Sequence, residues 1–258
     1  MANAALVTGG ALRLGRAMAL RLAKRGADIV VHYASSEAPA QAVASEAREM
    51  GVNAVALQAD LLDAGAVAGL VPQAAAALGR PLDVLINNAS IFEYDNLETA
   101  DGESWARHMD SNLRAPVFLT QAFAAQAPDL GNDGEPLAMG NVINMIDQRV
   151  RKPTPEFMTY SLAKAGLWAF TKTAAQALAP RIRVNGIGPG PTLVGARQSE
   201  EHFANQRKAT ILQRGSDPGE ICRAMEFILD SPGLTGQLLC LDGGQHLAWE
   251  TPDILGPE

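Results

Sequence analysis

A glycine-rich turn between an apolar strand and a helix, close to the N-terminus, restricts the possible folds more than any other feature. Ala4–Val7 is an apolar run, and the turn Thr8–Gly15 follows it. A helical pattern over Arg16–Arg25 ends at Gly26, and a second apolar strand covers Asp28–Tyr33. Glycines let the backbone approach a pyrophosphate, and a helix N-terminus favours its negative charge. An ordinary tight turn is the alternative, but the strand before it and the helix after it favour a dinucleotide site in a parallel α/β fold.

The end of the second strand indicates which dinucleotide binds. An NAD site places a carboxylate there to hold the ribose 2′-hydroxyl. Here the segment reads His32-Tyr33-Ala34-Ser35-Ser36, and the first acid is Glu37. Ser35, Ser36 and Arg13 can donate hydrogen bonds to a 2′-phosphate that a carboxylate would repel. We therefore expect NADPH rather than NADH.

Composition limits the partners and the compartment. The chain has 258 residues and a mass of 27.2 kDa, enough for one large α/β domain or two small ones. Its net charge is −7 without a basic tract, which gives no electrostatic footprint for nucleic acid or an anionic membrane. Cys222 and Cys240 have no metal-site pattern and are interpreted as reduced core thiols, so no metal is expected. With no apparent signal peptide and no membrane-spanning run, we expect a cytoplasmic protein.

The remaining pattern alternates strands and helices. Asp60-Leu61 follows a strand and suits the adenine edge of the cofactor, and Asn87-Asn88-Ala89-Ser90 ends another strand. The residues 193–215 are polar and mixed, and we expect them to form a mobile flap over the site. The other expected elements are a helix over 37–50, strands 53–57 and 82–86, a helix from Asp110 towards Gln126, a surface loop over 128–140, strands 141–145 and 182–185, a helix over 218–229, a strand over 237–241 and an acidic tail from 248.

Tyr160 and Lys164 carry the strongest candidate chemistry. They are four residues apart in a run of helix formers, so their side chains share one helix face. A cation within about 4–6 Å lowers the pKa of a phenol by about 1–3 units. Tyr160 then becomes a general acid near neutral pH. Asp147 lies thirteen residues before Tyr160, just after a buried strand, and can enter the same cleft.

These motifs together resemble the short-chain dehydrogenase/reductases over essentially the whole chain. The matching residues are Thr8-Gly9 to Gly15, Asp60, Asn87-Asn88-Ala89, Asn112, Tyr160 with Lys164, Pro189-Gly190 and Asp242-Gly243-Gly244. The resemblance implies a single domain over residues 1–258, with a doubly wound, seven-stranded parallel sheet of the Rossmann type and helices on both faces. It also implies that Tyr160 donates the proton, that Lys164 holds the nicotinamide ribose and lowers the tyrosine pKa, and that Asn112 supports a water relay. Relatives are mostly homotetramers, assembled through the helices of Asn112 and Tyr160 and the C-terminal strand.

Two departures from the family pattern, together with the segment after the asparagines, resemble the pteridine reductases and the dihydromonapterin reductases. Arg13 replaces a glycine of the turn, Asp147 replaces the catalytic serine, and Ser90-Ile91-Phe92 follows the asparagines. In that branch the arginine meets cofactor phosphates and the aromatic residue stacks on the pterin opposite the nicotinamide. The serine of this motif contacts the cofactor or the pterin, and the aspartate shares a proton relay with the tyrosine. Ser36 matches the residue that binds the 2′-phosphate there.

The motifs and the family resemblance together predict the residues of the site. The expected catalytic residues are Asp147, Tyr160, Lys164 and Asn112, and the expected substrate contacts are Ser90, Phe92, Asp147, Tyr160 and Pro191. The expected cofactor contacts are Gly9, Arg13, Leu14, Gly15, His32, Tyr33, Ser35, Ser36, Asp60, Leu61, Asn88, Ala89, Ser90, Lys164, Pro189, Gly190 and Thr192.

Three functions remain open at this stage. The first is an NADPH-dependent reductase of pterins or dihydrofolate-like substrates, which Asp147, Arg13 and Phe92 favour. The second is a carbonyl reductase, for instance of 3-oxoacyl thioesters, which usually carries serine at the Asp147 position. The third is a non-catalytic, NADP-binding regulatory protein, against which the intact Tyr160 and Lys164 argue.

Overall fold

The structure, a computed structural model, describes residues 3–195 and 198–249. The helices of this part are α1 Arg13–Lys24, α2 Glu37–Glu49, α3 Ala64–Leu78, α4 Gly102–Met109, α5 Ala115–Gln126, α6 Met158–Leu178, α7 Glu200–Lys208 and α8 Pro218–Asp230. The strands are β1 Ala4–Val7, β2 Asp28–Tyr33, β3 Ala54–Gln58, β4 Val84–Asn87, β5 Gly131–Asn132, β6 Pro136–Leu137, β7 Gly140–Met145, β8 Ile182–Pro189 and β9 Leu238–Leu241.

The seven longer strands form one parallel sheet in the order β3-β2-β1-β4-β7-β8-β9. Strands β1 and β4 are buried at every residue, as expected of central strands that helices cover on both sides. The predicted doubly wound, seven-stranded Rossmann sheet is confirmed.

Two apolar cores lie on opposite faces of this sheet. Helices α1, α2 and α8 pack over one core, which contains Met18, Leu22 and Met225. Helices α3, α5 and α6 pack over the other, which contains Leu70 and Phe123. Within residues 3–195 and 198–249, the structure has no helix long and apolar enough to span a membrane.

Some elements differ from the sequence prediction. The helix expected from Asp110 begins at Gly102, because Asp101 and Ser104 form a capping box there, and a π-helical segment Asp110–Arg114 joins it to α5. The loop expected over 128–140 contains the short hairpin β5–β6. The expected flap contains the nine-residue helix α7, and its residues 196–197 lie outside the described residues, as does the tail from 250.

The strand order reverses between β1 and β4, which places a crevice at their carboxyl ends. Thr8 joins the two strand ends, because its hydroxyl accepts hydrogen bonds from the amides of Asn88 at 2.9 Å and Ala89 at 3.0 Å. The Asn88 side chain donates in return to the Thr8 carbonyl at 2.9 Å. The floor of the crevice is therefore held by hydrogen bonds between the Gly-rich turn and the asparagine motif.

Candidate active site

A cavity of about 770 Å³ lies at this edge of the sheet. All residues predicted to contact cofactor or substrate line it, except Tyr33 and Ser36. Tyr33 packs in the apolar core beneath α1 and α2, because its side chain points to that face of β2. Ser36 precedes α2 and does not line the cavity. The sequence predicted that the end of β2 contributes to the site, but it did not show which of its side chains line the cavity.

The Gly-rich turn has the shape that a pyrophosphate needs. A Cβ atom on Gly15 would lie 2.1 Å from the Gly9 carbonyl oxygen, so no other residue fits there without moving the backbone. Leu12 precedes α1 without a side-chain cap, and the first turn of α1 has no acidic residue. The helix therefore presents uncapped amide groups and its positive dipole end to the cavity, which fits the phosphates of a dinucleotide.

His32 holds this turn from below. Its Nδ1 accepts a hydrogen bond from the Gly9 amide at 3.0 Å, and its Nε2 lies 3.0 Å from the Ala59 carbonyl oxygen. Since the Gly9 amide can only donate, Nδ1 is unprotonated and Nε2 carries the hydrogen. Burial lowers the pKa of His32, which maintains this neutral form. The ring thus connects β2, the Gly-rich turn and the end of β3.

Arg13 points to the far side of the cavity. Its guanidinium donates to the carbonyl oxygens of Val194 at 2.6 Å and Leu193 at 3.3 Å. Its backbone has φ 52°, in the left-handed region that glycine adopts without strain. In this structure Arg13 fastens the start of the expected flap to the Gly-rich turn, and its contact with cofactor phosphates stays a prediction.

Tyr160 and Asp147 form a hydrogen-bonded pair in the cavity. The Tyr160 hydroxyl donates to Asp147 Oδ2 at 2.9 Å, and the Arg149 amide donates to Asp147 Oδ1 at 2.8 Å. Burial raises the pKa of the Asp147 carboxyl, although these hydrogen bonds partly oppose it. The Tyr160 hydroxyl therefore lies in the cavity with its proton directed at a buried carboxyl, an arrangement through which a proton can pass.

The sequence predicted a lowered pKa for Tyr160, and the structure contradicts that direction. Burial, followed by the charge of Asp147 and its hydrogen bond, raises the pKa of Tyr160 well above the ordinary value. Lys164 does not offset this, because its Nζ donates to the Met145 carbonyl at 2.7 Å and lies 5.7 Å from the centre of the Tyr160 ring. Burial also lowers the pKa of Lys164 to about 8.

Phe92 borders Tyr160 on the open side of the cavity. The two ring centroids are 4.7 Å apart in an edge-to-face arrangement. On its other side Phe92 stacks on Phe157, with a centroid distance of 4.3 Å and an interplanar angle of 11°. The Phe92 side chain is still 48% exposed, so part of its surface is accessible to a ligand. Phe157, which the sequence analysis missed, has φ 56° immediately before α6.

Asn112 does not line the cavity. Its side chain is fully buried in the π-helical segment, where Oδ1 accepts from the Ile91 amide at 2.8 Å and Nδ2 donates to the Ile91 carbonyl at 2.7 Å. Both atoms are thus used to hold the chain beside Phe92. The Asn112 side chain therefore has a positioning role in this structure, and the water relay expected of Asn112 stays a prediction.

A buried chain of hydrogen bonds fastens the Phe92 segment to the start of α6. The Glu93 amide donates to His108 Nε2 at 3.1 Å, so His108 Nδ1 carries the hydrogen and donates to the Thr159 hydroxyl at 2.7 Å. The Thr159 hydroxyl in turn donates to Asp95 Oδ2. Burial lowers the pKa of His108 and keeps it neutral. Burial alone would raise the pKa of Asp95, but the Thr159 hydroxyl and amide bring it below its ordinary value.

Replacing Thr159 by valine should destabilise the protein, because a methyl group of similar size replaces the hydroxyl that joins His108 to Asp95. We expect the free energy of unfolding to fall by about 1–3 kcal/mol, the cost of leaving buried polar groups unpaired. Denaturant titration measures this change. Thr159→Ser keeps the hydroxyl and should lose clearly less; equal losses in both variants would mean that packing of the methyl group, not the hydrogen bond, matters.

The fold and the site define the class of protein. A Rossmann sheet whose crevice joins an uncapped, glycine-rich helix start to a buried Tyr-Lys pair is the arrangement of a nucleotide-dependent oxidoreductase. Residues 3–205 match the family described as short chain dehydrogenase, and the chain belongs to that family. The family prediction from the sequence is confirmed.

Solved structures and curated relatives cover almost the entire chain. FolM alternative dihydrofolate reductase 1 from Brucella suis, in complex with NADP, is 43% identical with a TM-score of 0.90 and covers 98% of each chain. The FolM protein from Brucella canis, also with NADP, is 44% identical with a TM-score of 0.90 and covers 98% of this chain and 97% of that one. A 3-oxoacyl-[acyl-carrier-protein] reductase from Synechocystis sp. is 34% identical over 248 residues, 94% of this chain and 96% of that protein.

Proposed function

We propose that this protein reduces a pterin, dihydropterin or dihydrofolate-like substrate with NADPH. The observation that carries the proposal is the hydrogen bond between Tyr160 and Asp147 at 2.9 Å, beside the ring of Phe92 at 4.7 Å. When bound, NADPH supplies a hydride, which the substrate takes up together with one proton across a ring C=N bond. The similarity to two FolM dihydrofolate reductases at 43% and 44% identity supports the same substrate class.

The residues of the cavity suit these tasks. Tyr160 keeps its proton at neutral pH, because burial and the neighbouring charge of Asp147 raise its pKa, and a ring nitrogen needs a proton as hydride arrives. Phe92 offers an exposed part of an aromatic surface to a flat, electron-poor ring. Lys164, whose buried ammonium donates to the Met145 carbonyl at the end of β7, would hold the ribose of the cofactor.

The choice of NADPH follows from the absence of an acid at the end of β2. Ser35 lines the cavity after the end of β2 and Arg13 lines it at the Gly-rich turn, whereas Glu37 lies exposed in the first turn of α2. The NADP and NADPH complexes of similar structures support the same cofactor. Ser35 and Arg13 would hold the phosphates through charge-assisted hydrogen bonds.

Replacing Arg13 by glycine should weaken NADPH binding about 10- to 100-fold while changing NADH binding much less. Glycine adopts the positive φ of Arg13 without strain, so the loss of the guanidinium is isolated from a backbone effect. Fluorescence titration with both cofactors measures the difference. Arg16→Ala is the control. Arg16 lies on the same helix as Arg13 and pairs with Glu46 at the surface, so its loss should change the affinity for neither NADPH nor NADH. An equal loss for both cofactors would contradict a 2′-phosphate contact.

The second candidate is a reductase of 3-oxoacyl thioesters. Relatives at 34% and 30% identity with that function support it. Asp147 opposes it, because a buried carboxylate takes the position of the usual serine. A non-catalytic regulatory protein is opposed by the intact Tyr160, which retains a proton-transfer partner.

One assay separates these functions. NADPH oxidation is followed with oxidised pterins, dihydropterins, dihydrofolate and an acetoacetyl thioester in parallel. Our proposal expects turnover with at least one pterin and little with the thioester. Turnover of the thioester alone would leave the second candidate standing, and none at all, with NADPH bound, would favour the regulatory protein.

The cytoplasmic location and the homotetramer stay predictions. Phe118 on α5 and Leu162 on α6 are 49% and 47% exposed, which supports an interface on these helices.

A further inference from the structure

Gln148 has a buried side chain that the fold does not use. It is only 7% exposed, yet its Oε1 atom has no hydrogen-bond partner among the described residues. Its Nε2 atom, by contrast, is not among the buried unpaired atoms. Buried polar groups in native proteins nearly always have a partner, because an unpaired one destabilises the folded state. The unpaired carboxamide oxygen of Gln148 therefore makes this side chain a candidate for contact with a ligand.

The position of Gln148 distinguishes it from the other unpaired groups. Six buried side-chain atoms in residues 3–195 and 198–249 lack a partner, and only that of Gln148 belongs to a residue lining the cavity. Gln148 directly follows Asp147, whose Oδ2 accepts the hydrogen bond of Tyr160. Gln148 therefore lines the same cavity as the proton-donating pair and is the chain neighbour of Asp147.

We infer that Gln148 is a specificity-determining residue that binds the substrate through a cyclic amide or amidine edge. A carboxamide presents one acceptor and one donor side by side, and its complement is a ring that carries an N–H next to a carbonyl or an imine nitrogen. The pyrimidine half of a pterin has this edge. The 3-oxo group and the thioester of an oxoacyl substrate offer acceptors only, so the carboxamide oxygen would stay unpaired with them.

This inference rests on the proposed pterin reduction. It predicts that a Gln148 variant loses substrate affinity without losing stability, whereas a variant of a structural residue would lose stability. Gln148→Leu replaces the amide by an apolar group of similar size in a buried place. It removes an unpaired polar atom from the free protein, and so it should leave the thermal midpoint unchanged or higher. The same change removes a hydrogen bond to the substrate. KM for a dihydropterin should therefore rise about tenfold, while the affinity for NADPH stays unchanged.

Gln126 provides the matched control. Its side chain also lies between elements, but Oε1 accepts from the Leu82 amide at 2.7 Å and Nε2 donates to the Leu82 carbonyl at 3.1 Å. Gln126→Leu should lower the thermal midpoint and leave KM unchanged. The opposite behaviour of the two glutamines separates a ligand-binding amide from a structural one.

The experiment measures KM, kcat, NADPH affinity and the thermal midpoint for wild type, Gln148→Leu, Gln148→Met and Gln126→Leu, with a dihydropterin as substrate. A raised KM in both Gln148 variants, with unchanged NADPH affinity and no loss of stability, supports the inference. An unchanged KM in both, a fall of the thermal midpoint like that of Gln126→Leu, or a weakened affinity for NADPH would each overturn it. Failure of the wild type to reduce any pterin would instead refute the proposed function, so the two failures are distinguishable.

Discussion

The Tyr160→Phe variant is expected to lose turnover by about 10²–10⁴-fold, the contribution of a positioned general acid. The substitution removes the hydroxyl that donates to Asp147 but retains the ring, which is 6% exposed and packs against Phe92. The binding of NADPH should be nearly intact, because Lys164 and the Gly-rich turn are unchanged. Steady-state NADPH oxidation and fluorescence titration measure the two effects separately.

Tyr94→Phe is the matched control for this variant. Tyr94 is 53% exposed and contacts the edge of the Phe157 ring at 5.2 Å, outside the proton-donating pair. Loss of its hydroxyl should leave turnover close to wild type. If Tyr160→Phe kept substantial activity, Asp147 would be the next group to test as the proton donor, since burial raises its pKa.

The sequence predicted the sheet well because parallel central strands have a simple signature. Strand β1 is a fully buried apolar run, and in the turn that follows it Gly15 leaves no room for a side chain, because a Cβ there would lie 2.1 Å from the Gly9 carbonyl oxygen. The start of α4 was missed although its signal, an acid at Asp101 and a serine three residues later, is present. The helix predicted from Asp110 coincides instead with the π-helical segment Asp110–Arg114, which joins α4 to α5.

Within the site, the sequence predicted which residues lie close together, but it did not predict how burial and neighbouring charges change their pKa values. Asp147 and Tyr160 are adjacent as expected, whereas the pKa of Tyr160 moves in the direction opposite to the prediction. The sign depends on burial, which spacing alone does not provide. The contact of Arg13 with the carbonyl of Val194 joins residues that are 181 positions apart, and no local pattern indicates it.

The Asp147→Ser variant is expected to lose pterin reduction by about 10²–10⁴-fold while losing far less of any activity on a ketone or thioester. The serine hydroxyl restores the residue that carbonyl-reducing relatives usually carry, but it removes the carboxyl that shares its proton with Tyr160. Because the charge of Asp147 is a major cause of the raised phenol pKa, the variant should also lower the pKa of Tyr160. The activity that remains should therefore decline at a lower pH than in the wild type, as the phenol loses its proton earlier.

Asp147→Asn separates the charge from the shape of the side chain. It also lowers the pKa of Tyr160 by removing the charge, but its amide cannot pass a proton to the substrate. We expect the pH profile to shift in both variants and pterin turnover to stay low in both, measured from kcat over a range of pH with each substrate. The competing oxoacyl reductase predicts the reverse for Asp147→Ser, since serine would then improve an imperfect carbonyl site. Higher thioester turnover in Asp147→Ser, with no pterin turnover in the wild type, would decide for that function, because the carboxylate beside Tyr160 would then hinder the reaction instead of serving it.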